Sequence, residues 1–294
     1  MSRRATPHRR DAALTQADHA LVRRLLRERS GVVLDPSRDH FVEMRLGALA
    51  TEFGFESLAE VLEALRTEEG WGMLHRLVAE ALAISETSWF RDAPFWEELK
   101  ETLLPDLLAR RRGVRGLELW SAACATGQEP YSLAMLLHDM AGHLAGWQVH
   151  VLATDFSQGI LKRARAGCYS QIEMNRGLPA VQLVRNFSKT AEGWELKPEV
   201  RALVEFREMN LASSWPALPP MDLVLVRNVL LYFEPELRRR VLRQLALNMP
   251  PDGILVLGAG ETTLTMDDSF EAAPVSGTGP RLARTVVYRR RERL

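Results

Sequence analysis

After Gly113 the chain alternates short, nearly continuous apolar runs with stretches of helical periodicity. A strand buried on both faces is apolar at successive positions, and parallel neighbours need a long crossover between them, usually a helix. The alternation therefore predicts a doubly wound α/β sheet. Strands are predicted at Gly116–Ser121, Gln148–Thr154, Val204–Met209, Met221–Arg227 and Ile254–Gly258, with Thr285–Tyr288 completing the sheet antiparallel. Helices are predicted over Glu129–Met140, Ser157–Ala166 and Pro235–Leu247, the last with its proline in the first turn, where a missing amide breaks no bond. Between about Tyr169 and Val200 the alternation breaks down, and Lys189–Gly193 reads as the tip of a hairpin inserted in this domain.

The region before residue 85 has only the helical period. Residues 1–13 are polar and read as a loose tail. From Thr15 to about Arg29, Ala20, Leu21, Leu25 and Leu26 recur at helical spacing before Ser30-Gly31. Further helices are predicted over Asp39–Phe53, ahead of Gly54, after Ser57 with Leu58, Val61, Leu62 and Leu65 on one face, and over about Met73–Ala83. The 294 residues suffice for two domains: a helical one over 14–84, a linker and connecting helix over 85–112, and an α/β domain over 113–294 with a β insertion at about 169–200.

Composition narrows the function classes. Hydrophobic residues are 46% and charged residues 26%, with 38 basic and 38 acidic side chains. That balance argues against nucleic acid as a partner, since only short arginine runs near the termini are basic. Cys124 and Cys168 have no CxxC or Cys/His spacing, so neither zinc nor a disulfide framework is expected and a reducing cytoplasm fits. No run approaches the roughly 18 apolar residues of a membrane span, and no signal-peptide stretch follows the first arginines, so the expected chain is cytoplasmic and not membrane-inserted; a monomer is also expected.

Ligands of an open parallel sheet sit at the carboxyl ends of its strands. After the first strand come Ala122-Ala-Cys-Ala-Thr-Gly127, small residues that let the backbone approach a ligand at a helix N-terminus. No phosphate-binding glycine pattern is present, and Glu129 in the first helical turn repels phosphate while suiting a cation. Asp155 after the second strand suits a pair of ribose hydroxyls or caps the next helix. Asn210-Leu211 after the third suits an adenine edge or a simple turn. After the fourth, Arg227-Asn228 places a charge at the end of a buried run, where it requires a partner. Four such features in register favour a ligand combining a nucleoside with an amino acid.

The segments Ser85–Asp92, Trp120–Ser132, Ala153–Asp155, Asn210-Leu211 and Val226–Phe233 together resemble the chemotaxis receptor methyltransferase (CheR) family, from about Leu21 to Tyr288. The resemblance implies a small all-helical domain followed by a Rossmann-like class I methyltransferase domain with a β insertion. It implies S-adenosyl-L-methionine as cofactor, S-adenosyl-L-homocysteine as product, and a chemoreceptor cytoplasmic domain or other chemosensory protein as the partner whose glutamate side chains are esterified. Ser85, Thr87, Arg91, Ala123, Glu129, Asp155, Asn210, Leu211, Arg227 and Asn228 match cofactor-pocket positions. Arg91 and Tyr232 match those nearest the transferred methyl, and no metal is implied.

Without the resemblance, Trp89-Phe90 reads as an interdomain packing contact and Cys124 as a small packing residue. Two departures from the family are mild: Ser85 replaces an asparagine and Gln128 a second glutamate. Two bear on the substrate. The helix Asp39–Phe53 lacks the family's arginine cluster, having Gly47-Ala-Leu-Ala-Thr51 after Arg45, although Arg23, Arg24, Arg27 and Arg29 offer another basic surface. The hairpin tip at Ser188–Gly193 is short beside members that grip a receptor's C-terminal pentapeptide, so a tether-independent enzyme is expected. The competing readings are a catalytically inactive cofactor-binding scaffold or sensor, and a methyltransferase for another protein or a small molecule.

Overall fold

The computed structural model describes residues 14–67, 72–263, 267–273 and 286–291. The predicted tail at 1–13, and Thr285 of the predicted last strand, lie outside them. The chain divides into two compact units, Met1–Ile84 and Ser85–Leu294.

The first unit is helical: α1 (Gln16–Ser30), α2 (Asp39–Phe53), α3 (Leu58–Thr67) and α4 (Met73–Ala81). Thr15 and Asp18 close a reciprocal capping box at the start of α1, satisfying two amides that have no partner within the helix. The buried stripe of α1 is Val22, Leu25 and Leu26 with Asp18 and His19, whereas Ala20, expected on that face, is exposed. Arg23 ion-pairs with Asp39 and Arg66 with Asp18, so one of the arginines considered as a docking surface ties α1 to α2 instead.

The second unit opens with α5 (Ala93–Glu98), a π-helical turn (Leu99–Leu103) and α6 (Leu104–Arg110), whose Leu99, Leu103, Leu104 and Leu107 are buried in the main core. Then follow β1 (Gly116–Ala122), α7 (Gln128–Asp139), β2 (Gln148–Asp155) and α8 (Gln158–Ala166). The insertion contains β3 (Cys168–Tyr169), α9 (Gln171–Met174), α10 (Ala180–Asn186), β4 (Phe187–Lys189), β5 (Trp194–Leu196) and α11 (Pro198–Arg201). The chain ends with β6 (Val204–Glu208), β7 (Leu223–Val226), α12 (Pro235–Leu247), β8 (Ile254–Leu257), β9 (Phe270–Ala272) and β10 (Val286–Arg290).

Seven strands form one sheet in the order β6-β2-β1-β7-β8-β10-β9. The first four neighbouring pairs are parallel, and β10 runs antiparallel to β8 and β9. This is the predicted class I methyltransferase arrangement. The chain winds outward from β1 through β2 to β6, then returns to β7 on the other side of β1. The topological switch point is thus between β1 and β7. All four residues of β7 and of β8 are buried, as strands covered on both faces must be. The insertion forms its own antiparallel sheet, β3-β5-β4, including the predicted hairpin; β3, the helices between and the short β9 carry too little periodicity to be predicted. No helix among the described residues is long and apolar enough to cross a membrane.

At the N-terminal ends of the parallel strands, Arg111 joins α6 to the starts of β7 and β8. Its Nε donates to Asp222 Oδ1 at 2.6 Å, and its two terminal nitrogens donate to Asp252 at 2.7 Å. The Arg111 hydrogen bonds hold Asp252 down at about 2, against partial burial that pushes the other way. A carboxyl depressed in the folded state stabilises the fold above its unfolded pKa, near 4, and loses that contribution as pH falls through about 2. Denaturation midpoints of wild type and Asp252→Asn are expected to converge between about pH 4 and 2; a constant gap over that window would refute the coupling.

Candidate active site

The loops at the switch point depart from ordinary backbone geometry. Among the described residues, six non-glycine residues have positive φ, and five of them, Phe90, Asp92, Ala123, Ala125 and Asn228, lie in three segments that meet here. Left-handed backbone costs a residue with a Cβ about 1–3 kcal/mol and persists only where the surroundings over-determine it, which is why it concentrates at functional sites.

The surroundings that do so centre on Arg227. Its side chain is 1% exposed. One terminal nitrogen donates to Glu129 Oε2 at 3.1 Å; the other donates to Asp92 Oδ2 at 2.6 Å and to the Arg91 carbonyl at 2.7 Å. Its guanidinium also lies 4.7 Å from the centre of the Phe95 ring. The partner that a charge at the end of β7 requires is therefore a pair of carboxylates, one at the start of α7 and one in the segment ahead of α5. Glu129 also accepts from Ser121 Oγ at 2.7 Å, so it is bound into the wall of the site and is not a bare charge awaiting a cationic ligand.

The small-residue loop is pinned to β2. Cys124 donates its amide to the Thr154 carbonyl at 2.9 Å, and Ala125 donates to Asp155 Oδ2 at 3.0 Å. Asp155 Oδ1 accepts the Ser157 amide at 3.1 Å, while the cap of α8 is the Ser157 hydroxyl itself, accepting from Ile160. Asp155 thus shapes the loop. Cys124 is a packing residue, its thiol pushed well up by burial, with the carboxylates of Asp155 and Glu129 adding to the shift.

Trp89 is fully buried, edge-on to Tyr169 and Phe187 of the insertion at 4.8 and 5.4 Å, and its amide donates to the Arg176 carbonyl at 3.0 Å. Trp89 thus packs on the insertion within its own unit and not between domains as expected, while Phe90 lies edge-on to Trp96 at 5.4 Å, and these contacts flank the strained turn carrying Arg91. The Arg91 carbonyl is held by Arg227 and by Trp96 Nε1, while its side chain is exposed and forms no ion pair among the described residues. Ser85 and Thr87 are half-buried just upstream. Asn210 Oδ1 accepts the Ala212 amide at 2.9 Å, the turn considered as the alternative, and Leu211 beside it is buried. Tyr232 is half-buried on a single helical turn, Leu230–Tyr232, after Asn228, with no hydrogen bond joining it to Arg91. Hydrogen bonds therefore unite Glu129, Arg227 and the Arg91 backbone in one cluster and Asp155 with the Ala125 backbone in another, while Ser85, Thr87, Leu211 and Tyr232 bond to neither.

Two acidic residues outside the predicted set belong to the site, and the strand-end rule reaches only the second, since Asp92 lies ahead of α5. Asp92 is one, in a segment already singled out. Glu261 is the other, after β8, where it is 6% exposed and accepts backbone amides from the loop following β7. The acidic residues Asp92, Glu129 and Asp155 outnumber the one buried guanidinium, and Asn228 Oδ1 is a buried acceptor without a partner. Such a site suits a cationic ligand with hydrogen-bond donors and rejects phosphate.

A family model described as "CheR methyltransferase, SAM binding domain" matches residues 85–277. The chain belongs to the CheR methyltransferase family. It is 38% identical over 265 residues to chemotaxis protein methyltransferase 1 of Pseudomonas aeruginosa, covering 88% of this chain and 95% of that one. It is 36% identical over 251 residues to chemotaxis protein methyltransferase 1 of Vibrio cholerae, covering 84% and 90%. It is 33% identical over 263 residues to chemotaxis protein methyltransferase Cher2 of Pseudomonas putida, covering 88% and 95%. CheR membership makes S-adenosylmethionine the cofactor and methyl transfer the activity, and the acidic, acceptor-rich strand ends fit a ligand that carries both a sulfonium and an ammonium.

Proposed function

We propose that this enzyme esterifies glutamate side chains of a chemoreceptor cytoplasmic domain, and that Arg91 receives the acceptor. The observation that carries the reading is that the Arg91 carbonyl is held by buried Arg227, which also binds Asp92 and Glu129, while the Arg91 side chain is exposed. An acceptor carboxylate approaching Asp92, Glu129 and Asp155 is repelled unless a cation meets it. A glutamate with an ordinary pKa near 4.3 is already ionised at neutral pH, so no general base is required. The bound cofactor supplies an electrophilic methyl on a positively charged sulfur. A glutamate oxygen would take that methyl as the sulfur–methyl bond breaks, with the electron pair left on sulfur. The task left to the protein is alignment. Arg91 fixes the carboxylate, Tyr232 orients it through its hydroxyl, and Glu129, Asp155 and Asn228 hold the cofactor end.

The receptor itself differs in charge pattern from those recognised through a basic helix. On α2, Met44 is 55% exposed and Arg45 lies over the Phe41 ring, 5.2 Å from its centre, so the exposed face is more apolar than charged. The hairpin between β4 and β5 closes in a tight turn, with Thr190 donating its amide to the Gly193 carbonyl at 2.8 Å, which supports action without a tether.

Incubation with methyl-labelled cofactor and receptor-bearing membranes from the same organism is expected to give base-labile label on a receptor-sized band. Removing the last five residues of the receptor is expected to leave that label unchanged. Base-stable label would point to nitrogen methylation, no label to a scaffold, and loss on truncation to a tether.

A further inference from the structure

Glu261 is a buried carboxylate whose recorded partners are all main-chain amides. Its Oε2 accepts from Asn228 at 2.7 Å and Gly258 at 2.8 Å, and its Oε1 from Val229 at 2.8 Å and Leu231 at 3.2 Å. Three of those donors belong to the loop after β7, where the chain leaves the sheet ladder and its amides have lost their strand partners. A single anion thereby satisfies a run of donors that no regular element serves. The fit is close: a Cβ on Gly258 would stand 2.8 Å from both the Asn228 amide and Glu261 Oε2, so only glycine allows the approach. The constrained residue is Asn228, at φ 61°, whose side-chain oxygen is buried without a partner.

We propose that Glu261 is a positioning residue of the cofactor pocket: it draws the Asn228–Leu231 amides onto its carboxylate, holds Asn228 in left-handed backbone, and so fixes where the Asn228 side chain meets the cofactor. The proposal rests on the reading of Asn228 as a pocket residue. Glu261→Gln tests it, because an amide nitrogen then faces backbone donors that had an oxygen to bind. The variant is expected to weaken S-adenosylhomocysteine binding about tenfold, the cost of one charge-assisted bond lost. In an Asn228→Ala background the same substitution is expected to change the dissociation constant by less than about threefold, because both changes act through one side chain.

The constants are read by calorimetry at a temperature where circular dichroism shows every variant folded. Glu261→Asp, which keeps the charge and shortens the reach, runs through the same cycle if the glutamine variant does not fold. A residue that only supports the fold would lower the melting temperature and leave the constants of the folded proteins alone. Constants that multiply independently, or an unchanged constant for Glu261→Gln beside a weakened Asn228→Ala, would overturn the role of Glu261. An unchanged constant for Asn228→Ala would remove the pocket reading and the proposal with it.

Discussion

Arg227→Ala is expected to abolish cofactor binding and to destabilise the α/β unit by about 3–5 kcal/mol, the range for removing one partner from a buried ion pair. The guanidinium is 1% exposed, and the carboxylates it separates, Asp92 and Glu129, are 31% and 14% exposed. Neither solvates freely once the cation is gone, and Glu129 keeps only the Ser121 hydroxyl among its recorded partners. The loss extends to the backbone. Phe90 and Asp92, at φ 44° and 62°, flank Arg91, whose carbonyl is held by Arg227 and Trp96. Without the Arg227 bond the strain in that turn is released toward ordinary backbone, and the cofactor wall opens on two sides. Lysine is not a substitute, since an ammonium lacks the planar fork that reaches two carboxylates and a carbonyl at once. Arg227→Lys should therefore fall between wild type and alanine in urea midpoint while remaining severely impaired in S-adenosylhomocysteine binding. An alanine variant with a wild-type midpoint would mean that Arg227 is not the clamp of these three segments.

The clamp also marks how far the sequence is readable. That β7 and β8 are central strands follows from the runs Leu223–Val226 and Ile254–Leu257, because only a doubly covered strand is apolar at every position. That Arg227 needs an opposite charge follows from its place at the end of such a run. Its two partners do not follow, because Asp92 and Glu129 are 135 and 98 residues away in sequence and their meeting depends on the sheet having formed. The same limit hid Glu261: its neighbours Gly258-Ala-Gly260 resemble any turn, and its meaning appears only when β8 lies beside β7. Nor does a residue type announce left-handed backbone at Ala123 and Ala125, where asparagine or glycine is the usual signal. In the helical unit, Ala20 falls outside the buried face because that face is completed by Asp18 and His19, polar residues that an apolar pattern does not count. The insertion escapes periodicity because strands of two and three residues cannot display it.

Arg91→Ala is expected to lower methyl transfer by about 100-fold or more, the scale of a misplaced acceptor, while changing S-adenosylhomocysteine affinity by less than about threefold. The split follows from how the residue is held. Its structural contacts run through the backbone: the carbonyl accepts from Arg227 at 2.7 Å and from Trp96 Nε1 at 2.9 Å, and an alanine keeps both. The side chain is exposed, and losing it at the surface costs the fold no more than about 0.5 kcal/mol. What alanine removes, on the proposed role, is the cation that would meet an incoming carboxylate beside Asp92 and Glu129. Lysine restores charge without the two-pronged geometry, so Arg91→Lys should recover part of the rate, and that recovery should shrink as added salt screens the remaining point charge. Initial rates against receptor concentration, with cofactor saturating and its affinity measured separately, distinguish the two possible roles. If affinity for S-adenosylhomocysteine falls as far as the rate does, Arg91 belongs to the cofactor and the acceptor must be held by another group, with Tyr232 the next to test.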